Sequence, residues 1–205
     1  MNRLIPLLLV LLLAGCAELP SLIYGPDLAV ADKDADVWDL RQEALSKINS
    51  WSIKGRLAVQ SGQEGWSATL FWDQENQAYR MRFVAPLGQG TYQLQGNDEL
   101  VSLLTADNKL YQANKPEALL LDNLGWTVPL HGLKYWIKGI PEPGIAAENL
   151  LLDDQGRLTD MQQSGWRISI SRYTDFNGTQ LPSRLFMHND RFQLRLVVDD
   201  WKTGS

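Results

Sequence analysis

Between Trp51 and Ala85 the chain alternates apolar and polar residues with a period of two through three successive runs, which commits this stretch to β-sheet. Trp51, Ile53, Leu57 and Val59 alternate with Ser52, Lys54, Arg56 and Gln60. Trp66, Ala68, Leu70 and Trp72 follow, then Tyr79, Met81, Phe83 and Ala85, opposed by Arg80 and Arg82. Successive side chains leave a strand on opposite faces, so each run builds one apolar face and one wet face. Turn residues at 62–65 and 73–77 make three consecutive antiparallel strands the simplest reading.

The pattern continues after the break Pro86-Leu87-Gly88-Gln89-Gly90. Tyr92 and Leu94 start another alternating strand, and the turn signals Asn97-Asp98 and Asp107-Asn108 lead into strands over 100–104 and 110–112. Helical spacing then takes over at 116–124 (Leu119, Leu120, Leu124) and at 133–140 (Trp136, Ile137, Ile140), bounded by Gly125, Pro129, Gly139 and Pro141. Strands are expected again at 150–152, 158–162, 166–173, 181–188 and 192–201. Ahead of the first strand, Val37, Leu40, Ala44, Leu45 and Ile48 define an amphipathic helix. Ten or eleven short antiparallel strands with an N-terminal helix and a helical insertion predict a mainly β domain, curled into a barrel or strongly bent sheet. The inward candidates are bulky: Trp51, Trp66, Trp72, Phe83, Tyr92 and Trp136. They form either a solid core or the wall of an apolar cavity, and alternation alone does not choose between the two.

The N-terminus reads as an export signal. Asn2 and Arg3 precede an apolar stretch from Leu4 to Leu13, and Leu13-Ala14-Gly15-Cys16 has the form of a bacterial lipobox. Residues 1–15 are expected to be a lipoprotein signal peptide, with Cys16 the acylated first residue of the mature chain. Residues 16–36, with Pro20, Gly25, Pro26 and the charge run 32–36, are expected to be the lipidated cysteine and a flexible tether, and residues 37–205 one domain. Cys16 is the only cysteine, so the fold has no disulfide and depends on its hydrophobic core. Formal net charge is -5, and -6 without Arg3, which gives no global attraction for nucleic acid.

Catalysis finds little support. The two histidines, His131 and His188, lack a mature cysteine or a Gly-x-Ser-x-Gly elbow to work with, and each reads as structural. The pairs Asp153-Asp154 and Asp199-Asp200 are sequence neighbours, expected on opposite strand faces. Neither a metal site, a cofactor loop nor an enzymatic activity is expected.

The order of segments resembles the LolB family of outer-membrane lipoprotein receptors. The resemblance rests on the lipobox at 13–16, Trp51-Ser52-Ile53-Lys54-Gly55-Arg56-Leu57-Ala58, Leu70-Phe71-Trp72, Pro86-Leu87-Gly88, Pro129-Leu130 followed by the run from Leu133 to Pro141, and the run from Leu151 to Leu158. It implies an incomplete antiparallel barrel of about eleven strands, covered by helices and enclosing an apolar cavity for acyl chains. The expected cavity residues are Trp51, Ile53, Leu57, Leu70, Trp72, Met81, Phe83, Tyr92, Leu94, Trp136 and Ile137. The implied role is to accept triacylated lipoproteins from a LolA-like periplasmic carrier and insert them into the outer-membrane phospholipid, with no covalent chemistry. Pro86, Leu87 and Gly88 would form the membrane-insertion loop, with Leu87 turned outward. Ala17 and Glu18 after the acylated cysteine, without the Asp that retains lipoproteins in the inner membrane of enteric bacteria, imply an outer-membrane anchor facing the periplasm. The domain is expected to be a monomer. Exposed Lys134, Lys138 and Arg184 are candidates for meeting an acidic carrier. The alternative is a structural or lipid-binding envelope lipoprotein without transfer activity.

Overall fold

The computed structural model describes residues 28–203 apart from Asp98, with side chains from Asp36 onward. The leader, Cys16 and the first part of the expected tether lie outside the described residues.

Eleven strands form one antiparallel sheet. β1 (Ser50–Ser61), β2 (Glu64–Glu75), β3 (Ala78–Val84), β4 (Thr91–Gly96), β5 (Val101–Leu104) and β6 (Leu110–Ala113) form a meander. Helices α2 (Pro116–Leu124) and α3 (Leu130–Trp136) then carry the chain to β7 (Glu148–Leu152). A second meander follows through β8 (Leu158–Gln163), β9 (Trp166–Phe176), β10 (Thr179–His188) and β11 (Phe192–Thr203). β11 pairs with β1 and joins the two meanders, giving the order β6-β5-β4-β3-β2-β1-β11-β10-β9-β8-β7. The sheet is therefore open, with β6 and β7 at its two edges, and the insertion has to cross from one edge to the other.

The inner face is apolar because the alternation keeps its phase through the long central strands. Ile53, Leu57 and Val59 of β1 are buried with Leu194, Leu196 and Val198 of β11. Phase is deliberately shifted once between these strands. A bulge opposite Lys54/Gly55 inserts Asp199 into β11, so that Val198 and Trp201 both point inward while Asp199 and Asp200 are both exposed. The expected separation of this aspartate pair onto opposite faces is therefore corrected. Asp199 accepts a bond from Arg56 Nη2 at 2.9 Å instead. Trp51 packs on Trp72 (ring centroids 4.7 Å apart) and on Trp201 (5.2 Å), closing one end of the core.

Two helix boundaries differ from expectation. α1 runs from Leu28 to Ser46, so residues 28–36 of the expected tether are helical. Its buried side chains are Trp38 and Leu45, whereas Val37, Leu40 and Ala44 are exposed. The actual stripe is Trp38, Arg41, Leu45: the Arg41 guanidinium reaches the carbonyl of Gln180 and lies over the Tyr173 ring, so a cation occupies a position where only apolar residues were sought. α3 starts at Leu130 rather than Leu133 and ends at Trp136, because Gly139 adopts a left-handed φ of 79° and turns the chain.

Gly55 answers to a close approach rather than to a turn. A Cβ there would stand 2.4 Å from the Val197 carbonyl oxygen. Gly55→Ala should therefore force the β1–β11 bulge apart and cost about 1–3 kcal/mol, read as a lower urea midpoint with an unchanged m-value.

Candidate functional site

The insertion lies over the inner face and is fastened to both halves of the sheet. On one side, Trp126 packs against Trp66 (5.4 Å) and Phe83 (6.1 Å) from β2 and β3. On the other, the Trp136 indole N–H donates to Gln163 Oε1 on β8 at 2.7 Å, and Gln163 Nε2 donates to the carbonyls of Glu142 and Ile145. Leu119, Leu120, Val128, Leu130 and Leu133 fill the space between. Among the described residues, the Trp126 indole N–H and the Thr127 hydroxyl are buried without a hydrogen-bond partner, a cost of about 1–3 kcal/mol each.

Of the eleven expected cavity residues, ten are buried in one continuous cluster and Tyr92 is half-buried against it. Two of them, Trp72 and Met81, line a cavity of about 380 Å³ beside α2 and α3. Its remaining apolar wall includes Tyr79, Pro116 and Leu130, which the sequence analysis did not single out. Pro116 and Leu130 reach the site through the path of the insertion, which no periodicity encodes, whereas Tyr79 stands on β3 in phase with Met81. Gln74 and Gln163 were also missed, although each has a readable signature: a glutamine in phase with inward neighbours. Gln74 follows Trp72, accepts its indole N–H at 3.1 Å and donates to Asn76 and Ala78 carbonyls.

Next to this cavity, and sharing Gln74, Gln77 and Lys134 with it, is a polar pocket of about 170 Å³ that includes Lys138. Lys138 corrects an expectation. It is buried, only 3 % exposed, and its Nζ donates to the Ile48 carbonyl at 3.1 Å. Burial pushes its pKa down to about 8, and the charge of nearby Lys134 acts in the same direction. Lys134 is half-buried and donates to Gln77 Oε1 at 2.7 Å, while Arg184 is exposed.

The 86–88 turn stands apart from this interior. Leu87 is 97 % exposed and held at φ 53°, a left-handed conformation that costs a leucine about 1–2 kcal/mol. The loop base is firm: Ala85 N donates to Gly90 O at 3.0 Å and Gln89 N to Pro86 O at 3.1 Å. A strained leucine projecting from a hydrogen-bonded loop gains nothing for folding.

The histidines do not converge. His131 borders the 380 Å³ cavity, whereas His188 stacks on Phe186 at 5.3 Å at the end of β10. Asp153 closes a turn by accepting from Arg157 and is held below its usual carboxylate range by those bonds, which outweigh its partial burial. Among the described residues, no three His, Cys, Asp or Glu side chains gather as a metal site, and no helix is long and apolar enough to cross a membrane.

An open antiparallel sheet with its inner face covered by an edge-to-edge helical insertion is the LolA-like architecture. A LolA superfamily protein from Nitrosomonas europaea superposes with a TM-score of 0.54 at 8% identity, covering 84% of this chain and 94% of that one. A DUF1329 family protein from Desulfovibrio piger gives 0.53 at 6% identity, covering 84% and 92%. Within that architecture the chain belongs to the LolB family, whose model, described as outer membrane lipoprotein LolB, matches residues 49–201. It is 38% identical over 191 residues to the outer-membrane lipoprotein LolB of Pseudomonas aeruginosa, spanning 93% of this chain and 91% of that one. It is 37% identical over 200 residues to that of Nitrosococcus oceani, spanning 97% and 96%.

The Lys138 ammonium makes stability depend on pH with a definite sign. The folded state releases this proton near pH 8, whereas the unfolded chain holds it to about 10.5, so stability rises with pH between about 8 and 10. Above pH 10 the buried Tyr173 phenol, whose pKa is raised by its burial, works in the opposite direction. Lys138→Met should abolish the rise and add about 1–2 kcal/mol at pH 7, measured by urea unfolding across the pH series.

Proposed function

We propose that this protein is an outer-membrane-anchored receptor that accepts acylated lipoproteins from a LolA-like periplasmic carrier and inserts them into the outer membrane. Membership of the LolB family carries this reading, and the architecture supplies a physical route. Cargo acyl chains enter between the insertion and the inner face, against Trp51, Ile53, Leu57, Leu70, Trp72, Met81, Phe83, Tyr92, Leu94, Trp136 and Ile137. The insertion shifts to admit them, since most of these side chains are packed against one another without cargo. The unpartnered Trp126 indole N–H and Thr127 hydroxyl can donate to the ester or amide carbonyls of arriving chains, which favours opening in the presence of cargo.

Handover requires only that the receptor bind the chains somewhat better than the carrier, because about 1.4 kcal/mol shifts the partition tenfold. Delivery to phospholipid is then downhill, and Leu87 leads it: its side chain is solvated in the free protein and becomes buried only in a bilayer. The lipid on Cys16 keeps the receptor at the membrane, and the domain acts as a monomer. Exposed Arg184 faces the carrier.

The test is transfer itself. The mature domain without its lipid is mixed with carrier loaded with triacylated lipoprotein, and the location of the cargo is assayed. Cargo moving onto this protein supports the receptor reading; cargo staying on a functional carrier favours the structural-lipoprotein alternative. Leu87→Glu should accept cargo normally and lose insertion into liposomes with no change in Tm. Leu87→Gly should lose insertion equally while gaining about 1 kcal/mol of stability as the left-handed strain is relieved. A Leu87→Glu protein that unfolds would contradict the solvent-exposed assignment.

A further inference from the structure

Lys138 is a buried ammonium without an acid. Its Nζ has three N–H donors, and one reaches the Ile48 carbonyl; no carboxylate of the described residues lies within ion-pair distance. Burying an uncompensated charge costs stability and is kept where the charge has work outside folding. A second ammonium, that of Lys134, faces the same pocket, and both cations lie against one Tyr135 ring, at 5.1 Å and 5.4 Å from its centroid. Burial lowers the pKa of Lys138, the like charge of Lys134 adds to it, and an anion between the two would reverse that penalty.

The rest of the lining fits an anion. None of the nine residues around this pocket is acidic, and Asn49, Asn76 and Gln77 supply carboxamides. The pocket adjoins the 380 Å³ cavity, whose lining includes Trp72, Met81 and Leu130. In that cavity the carboxylate of Glu117 is engaged by the Leu130 backbone N–H at 3.2 Å. A cationic, amide-lined pocket opening beside an apolar one matches an amphiphile with a charged head and an alkyl tail.

We propose that Lys134 and Lys138 hold the phosphate of an anionic amphiphile, a phospholipid, whose acyl chain lies along Trp72 and Met81 in the adjoining cavity. A triacylated cysteine carries no phosphate, so this site discriminates a membrane lipid from the cargo. The inference rests on the two pockets and not on lipoprotein transfer: a protein that failed to take cargo could still bind the amphiphile.

Calorimetric titration of the full mature chain carrying Cys16→Ala tests it, with dodecyl phosphate below its micelle concentration, dodecyl maltoside as the uncharged tail and inorganic phosphate as the tailless head. Dodecyl phosphate should bind at least tenfold more tightly than either. Lys138→Gln and Lys134→Gln should each weaken it about tenfold and leave dodecyl maltoside unaffected. Lys134 is half-buried, so its variant keeps the test alive if the Lys138 variant misfolds. Equal affinity for dodecyl phosphate and dodecyl maltoside, or unchanged binding by Lys134→Gln, would overturn the site. Inorganic phosphate binding as tightly as dodecyl phosphate would overturn the lipid assignment and leave a free anion as the occupant.

Discussion

The fold turns on the fact that β6 and β7 do not pair. An eleven-stranded sheet with one apolar face has to hide that face, and closing into a barrel would hide it permanently. Here the sheet stays open and the connection between its edges covers the face. That connection is fastened by two tryptophans: Trp126 against Trp66 and Phe83, Trp136 through its bond to Gln163. A cover made of helices held by a few large side chains can move without breaking a strand ladder, whereas a closed barrel cannot. The open edges and the helical cover are thus two sides of one arrangement.

Polar groups inside the domain are arranged with the same economy. Gln74 and Gln163 each satisfy a buried indole N–H and then use their own amides to tie down nearby carbonyls, Gln74 within the β2–β3 hairpin and Gln163 where the insertion meets β8. Trp126, Thr127 and Lys138 are different. Each holds a polar atom or charge in the interior at a net cost to folding, and all three belong to the insertion and the turn that follows it. The outer loop at Leu87 adds a strained, solvated leucine. These costs fall on the cover and the protruding loop.

Most of the sheet was legible in the sequence because a strand exposes its burial every second residue. Trp51 to Ala85 needed nothing else, and turn residues such as Asn177-Gly178, both left-handed in φ, fixed where hairpins fall. Three things were illegible for physical reasons. The bulge at Asp199 shifts the phase by one residue, and only its partner strand reveals it. α1 starts at Leu28, ahead of the charge run at 32–36, and its buried side chains are Trp38 and Leu45, with Arg41 filling an inward position between them through its aliphatic stem and its ring contact. Lys138 reads as a surface residue on composition alone; its burial comes from the Gly139 turn, which folds the end of α3 back against Ile48. At the site, the wall contributed by strands was readable, and of the wall contributed by the insertion only Trp136 and Ile137 were expected.

The central claim is that acyl chains occupy the space now filled by the insertion's contacts with the inner face. Fluorine NMR of the protein labelled with 5-fluorotryptophan measures this directly, since Trp66, Trp72 and Trp126 report on that contact and Trp38 on the packing of α1. On titration with a triacylated lipopeptide, the account predicts that the resonances of Trp66, Trp72 and Trp126 move together while that of Trp38 stays in place. Saturable binding of the lipopeptide with those three resonances unmoved would contradict it.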